Sequence, residues 1–129
     1  MIGVMQGRLS PIYMNRIQVF PWHNWQNEFS CAKEMNIRAV EWTIDSFRFD
    51  ENPLIDDNQH PLIHLLSHSN GVEIPSVTCD YFMESPFWKN NQSEVLSNLI
   101  KIISSMSKIN SKILVIPLVD NSSVSKLNT

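Results

Sequence analysis

Four groups of hydrogen-bonding residues interrupt or follow short apolar runs: Gln6-Gly7-Arg8, Glu41-Trp42 leading into Asp45, Cys79-Asp80-Tyr81, and Val119-Asp120-Asn121. Carboxylates, amides and a guanidinium arriving from separate segments can build one wall of a pocket for a polar small molecule. Gln6, Arg8, Glu41, Trp42, Asp80, Tyr81, Asp120 and Asn121 are therefore the candidate ligand-face residues. Glu41 is the sharpest case, because it stands between Val40 and Trp42 inside an apolar run. A carboxylate in a buried strand is costly unless it is paired or functional. Arg8 or a metal ion could be its partner, and so could a structural hydrogen-bond network.

Other groupings invite chemistry less strongly. His60, His64 and His68 recur at helical spacing, but a helical wheel sets them opposite Leu62, Ile63, Leu65 and Leu66, which predicts a solvated outer face rather than a metal site. Trp22, His23 and Trp25 form an aromatic cluster that could stack on a sugar ring or plug the start of a helix. There is no GxGxxG, no GxxxxGK[ST] and no GxSxG. With only Gly3, Gly7 and Gly71 available, a glycine-rich phosphate cradle is hard to build.

These residues must be positioned by regular elements. Ile2–Met5, Ala39–Ile44, Val72–Cys79 and Ile113–Val119 are short, nearly continuous apolar runs, as expected of parallel strands covered on both faces. Between them, helical periodicity marks Trp25–Met35 with Asn24 as cap, Pro61–Ser69 with Asn70-Gly71 as stop, and Ser93–Ile109 with Ser93 as cap. The order is β-α-β-α-β-α-β, which fits either a doubly wound sheet or a barrel. In either architecture ligands gather at the carboxyl ends of the strands, where the polar groups fall. Pro75 and Pro117 sit awkwardly inside two of the proposed strands. The acidic stretch from Asp45 to His60 is the longest irregular segment.

Composition narrows the function classes. The chain has 129 residues, enough for one globular domain spanning 1–129, and a net charge of -3 from 10 Lys+Arg against 13 Asp+Glu. That balance leaves no basic face for nucleic acid. No apolar stretch reaches the ~20 residues a bilayer requires and no targeting segment opens the chain, so a cytoplasmic protein without membrane contact is expected. Cys31 and Cys79 form neither a disulfide framework nor a zinc motif.

Taken together, Ile2-Gly3-Val4-Met5-Gln6-Gly7-Arg8-Leu9-Ser10-Pro11, Phe20-Pro21-Trp22, Val40-Glu41-Trp42, Ser76 to Met83, and Val115 to Asn121 resemble the sugar phosphate isomerase/epimerase family of xylose isomerase-like TIM barrels. The resemblance spans the chain but matches only the N-terminal half of such a barrel. It implies a partial (β/α)8 TIM barrel, a half-barrel of about four βα units, and a small-molecule sugar or sugar phosphate as ligand. In the full-length family a divalent metal polarises the substrate oxygens while two acids exchange a proton beside a carbonyl, forming an enediolate. The metal-binding residues of that family come mainly from the second half. No cofactor, metal ligand or catalytic base is therefore assigned to this chain, which is expected to be inactive alone, and the eight residues named above are carried over only as substrate-face candidates. A non-catalytic half-barrel that associates with itself or with a separate second half is the alternative. Endonuclease IV-like DNA repair is a weaker one.

Overall fold

The computed structural model, which describes residues 1–16, 18–89 and 92–124, is α/β. Strands β1 (Gly3–Met5), β2 (Ala39–Ile44), β3 (Ser76–Cys79) and β4 (Ile113–Val115) form one sheet in the order β1-β2-β3-β4, with every neighbouring pair parallel. Parallel neighbours need long crossovers. Helix α1 (Trp25–Glu34) lies in the first, α2 (His60–Asn70) in the second, and a short α3 (Tyr81–Glu84) with α4 (Gln92–Lys108) in the third. Among the described residues no helix is long and apolar enough to cross a membrane.

Local chemistry fixes the element ends. β3 begins after Pro75 and β4 ends before Pro117, so both strands are shorter than the apolar runs. Without an N–H, Pro75 contributes only its carbonyl, which accepts from the amides of Lys112 and Ile113. Pro61 sits in the first turn of α2, and Gly71 ends the helix with φ of 63°, the left-handed conformation that glycine adopts cheaply. Two expected caps differ. Asn24 precedes α1 but makes no capping bond, pairing instead with Asn27 and Ser10. Ser93 lies inside the first turn of α4, and the position ahead of Gln92 is outside the described residues.

Strand alternation divides the sheet into unlike faces. Val40, Trp42 and Ile44 of β2 and Val77 and Cys79 of β3 are buried in one core with Phe29 and Ala32 of α1, Ile63 of α2, and Val95, Ile102 and Met106 of α4. The register pairs Thr43 with Thr78 and Thr78 with Val115, so the opposite face carries Glu41, Thr43, Ser76, Thr78, Ile113 and Val115. There Ile113 is 58% and Val115 39% exposed. The helices thus cover one face, not the two that near-continuous apolar runs suggested. A period-two pattern was present, but in runs this short a few threonines and serines do not break the apolar character.

The stretch after β2 is more ordered than expected. It contains 3-10 turns at Phe49–Glu51 and Asp57–Gln59 and buries Phe49, Asn52 and Leu54. Asn52 Oδ1 accepts from Trp42 Nε1 at 2.9 Å and from the Leu54 amide at 3.0 Å, while its Nδ2 donates to the Thr43 carbonyl at 3.2 Å. His60 corrects the wheel: it is buried beneath this stretch with Nε2 2.6 Å from the Leu54 carbonyl, whereas His64 and His68 are exposed.

Candidate functional site

Asp45 and Asp80 directly follow the paired residues Ile44 and Cys79, so the register sets two carboxylates side by side at the carboxyl ends of β2 and β3. They face a cleft of about 360 Å³. Arg16, Gln18, Ser46 and Glu84 complete its polar lining, and Phe47, Met83, Pro117 and Val119 its apolar wall.

Hydrogen bonding in the cleft is incomplete. Asp80 Oδ2 accepts from Gln18 Nε2 at 2.8 Å, while Oδ1 is buried without a partner. Asp45 Oδ2 accepts from the Phe20 amide at 2.8 Å, and the buried Ser46 hydroxyl has no partner. Burial pushes both aspartates above the ordinary carboxylate range. For Asp45 the Phe20 amide opposes that shift, the charge of Asp80 adds to it and Arg16 opposes it. For Asp80 the Gln18 bond and Arg16 oppose it, while Glu41 and Glu84 add to it. Two carboxyls facing one cleft can accept hydrogen bonds from the donors of a bound molecule.

The loop after β1 brings Arg16 and Gln18 to this site. Tyr13 and Arg16 bridge across Met14 and Asn15, whose φ values of 53° and 55° are the positive pair of a tight hairpin turn. The base of the loop is held by Glu28 of α1. Its buried carboxylate accepts from the Gly7 amide at 2.9 and 3.0 Å and from the Leu9 amide at 3.0 Å. Burial raises the Glu28 carboxyl, and the two amides pull it back. Gly7 has φ of 95°, and a Cβ there would meet the Val19 carbonyl oxygen at 2.8 Å, so this position requires glycine.

Of the eight residues proposed from sequence, only Asp80 lines the cleft. Glu41 accepts from Ser76 Oγ at 2.5 Å and from Thr78 Oγ1, which makes the structural network, rather than Arg8, its partner. Arg8 is exposed in the turn after β1. Gln6 is buried, and its Oε1 accepts from the Thr43 amide at 3.0 Å, prolonging the β1–β2 pairing. Trp42 and Tyr81 lie in the core. The Tyr81 hydroxyl accepts from Asn98 Nδ2 at 2.9 Å, and its ring packs 4.9 Å from Phe49. Asp120 and Asn121 occupy an exposed 3-10 turn just past Val119, where Lys89 Nζ donates to the Asn121 carbonyl at 2.7 Å. Glu41 and Trp42 are consecutive within β2 and so point to opposite faces of the sheet, which sends Trp42 into the core.

The aromatic cluster divides in the same way. Phe20 and Trp25 are buried around Trp42, with centroids 5.7 and 5.6 Å from its ring, and so act as a packing plug. His23 is exposed and stacks on Tyr13, while the Arg48 guanidinium sits 4.0 Å over Trp22. Arg16, Gln18 and Glu84 were not anticipated. Glu84 carried the one available signal, standing four residues after Asp80 at the start of a helical turn.

No family model matches the chain, and no curated protein matches it. Among the described residues no group of three or more His, Cys, Asp or Glu side chains is placed to hold a metal ion.

Proposed function

We propose that the chain forms four βα units of a sugar-isomerase-like (β/α)8 barrel and that its carboxyl-end cleft binds a polyhydroxylated small molecule. What carries this reading is the pair Asp45 and Asp80, adjacent on neighbouring strands, facing one cleft and held above their ordinary range by burial. Sugar hydroxyls donate to carboxylates and lay their apolar faces on walls such as Met83 and Pro117. The barrel assignment draws support from the sheet: strands advance in one direction without a switch point, and helices cover one face only. The metal of the proposed family does not fit the described residues, because no set of three ligating side chains converges. No step is therefore routed through it. Titrating the 15N-labelled chain with glucose is the test. Shifts concentrated at Asp45, Ser46 and Asp80 are expected, and their absence at saturating sugar overturns the site.

A second reading, association with a second copy or a complementary half, is favoured by one observation. The uncovered edge strand β4 exposes Ile113 and Val115, and α4 exposes Leu96, Ile100 and Ile103 at helical spacing. Light scattering decides it: a monomer of 14.9 kDa across the micromolar range argues against association.

A further inference from the structure

The cleft holds more negative charge than a neutral sugar requires. Asp45, Asp80 and Glu84 line it, against the guanidinium of Arg16. Asp80 is 8% exposed, yet its Oδ1 has no hydrogen-bond partner, and the Ser46 hydroxyl in the same cleft has none either. A carboxylate oxygen withdrawn from water is left uncompensated until a donor reaches it. Glu41 shows the contrast, since both of its oxygens accept from hydroxyls of β3.

Three ligand chemistries can be compared at this position. A phosphate ester brings charge of the same sign as the lining. A divalent ion needs several oxygen ligands, and no suitable group of three acidic or imidazole side chains is present among the described residues. An ammonium group brings N–H donors and a positive charge without a demanding coordination geometry.

We infer that the cleft selects a polyol bearing an ammonium group, an amino sugar in chemical class, with Asp80 Oδ1 as the principal acceptor and Asp45 and Glu84 supporting the charge. The inference rests on the polyol reading of the same cleft. Burial, the largest cause that raises Asp45 and Asp80, and the repulsion from neighbouring carboxylates that adds to it are offset when a cation sits between them.

The experiment follows the amides of Asp45, Ser46 and Asp80 by NMR while the full 15N-labelled chain is titrated at pH 7 with glucosamine, glucose and glucose 6-phosphate. Glucosamine is expected to bind about tenfold more tightly than glucose, as one desolvated charge-assisted contact supplies, and glucose 6-phosphate more weakly than glucose. Asp80→Asn should abolish the advantage of glucosamine over glucose, read as the ratio of the two affinities in the same variant. Glu84→Gln, at an exposed position, should reduce that advantage and keeps the test open if Asp80→Asn misfolds. Equal affinity for glucosamine and glucose overturns the charge selection and leaves the polyol site standing. Displacement of glucosamine by equimolar magnesium chloride overturns it in favour of a metal. No response to any of the three sugars overturns the polyol site itself and this inference with it.

Discussion

On one side of β2, Val40, Trp42 and Ile44 are closed off by helices; on the other, Glu41, Thr43 and Asp45 meet hydroxyls, amides and a cleft. The apolar side is complete, since Trp42 is fully buried and even its indole N–H is satisfied by Asn52. The polar side is satisfied at Glu41 but not throughout, since the Thr43 hydroxyl is buried without a partner. Glu41 has both oxygens bonded, whereas Asp80, further along the same face, keeps one oxygen without a partner. Buried polar groups are nearly always satisfied, and of the unpartnered ones Asp80 Oδ1 and the Ser46 hydroxyl belong to residues that line the cleft.

The largest test of this contrast is Trp42→Ala. Emptying the centre of the apolar face should cost about 3–5 kcal/mol, measured by urea denaturation. A loss below about 1 kcal/mol would mean that this face is not the core. Thr78→Val tests the satisfied end of the other face. It removes one of the two hydroxyls bonded to Glu41 at nearly constant volume and should cost about 1–3 kcal/mol. A neutral result would show that Glu41 is solvated in place of its partner, erasing its difference from Asp80.

The pH dependence addresses the unsatisfied end. Asp45, Asp80 and Glu28 are raised above ordinary values of 3.8, 3.8 and 4.5, with burial the largest cause in each. A carboxyl raised in the folded state contributes stability that is fully present below its unfolded pKa and is lost as pH rises through the folded value. These three groups should therefore lower the urea midpoint as pH climbs above about 3.8. Glu51 and Asp57 are lowered by Arg48 and Lys108 and act in the opposite sense, but as fully exposed pairs they are screened by solvent. Asp80→Asn should flatten the decline and raise stability at neutral pH by up to about 1 kcal/mol, the scale of a cross-strand like-charge contact. A variant that declines as steeply as the parent would show that the Asp80 charge is compensated.

How much of this was legible follows from where each partner lies. β2 could be placed residue for residue, and the α2 stop at Gly71 could be read, because an apolar run and an Asn-Gly pair are local signals. The division of the sheet into faces could not, because Glu41 looks isolated until Ser76 and Thr78 are aligned beside it by the register. Glu28 reads as a surface residue of α1, since its partners are the backbone amides of Gly7 and Leu9, which no side-chain pattern announces. Arg16 and Gln18 lie in a loop without periodicity, and only its folding onto the strand ends brings them to Asp80.

The smallest expected effect concerns that loop. A hairpin turn with positive φ at both central positions ordinarily uses Asn and Gly. Here Met14 occupies the first, at φ of 53°, and asparagine at the second is far better tolerated there. Left-handed backbone costs a residue like methionine roughly 1–2 kcal/mol, and Met14 is 54% exposed, so little packing offsets that cost. Met14→Gly relieves the strain but adds freedom to the unfolded chain, which returns part of the gain. The net expectation is a stabilisation of about 0.5 kcal/mol, with slower amide exchange at Gln18, because the same hairpin carries the donor to Asp80 Oδ2. Destabilisation by Met14→Gly would mean that the methionine side chain holds the loop in place. The polar face would then depend on an apolar anchor, and its separation from the covered face would be less complete than the strand alternation implies.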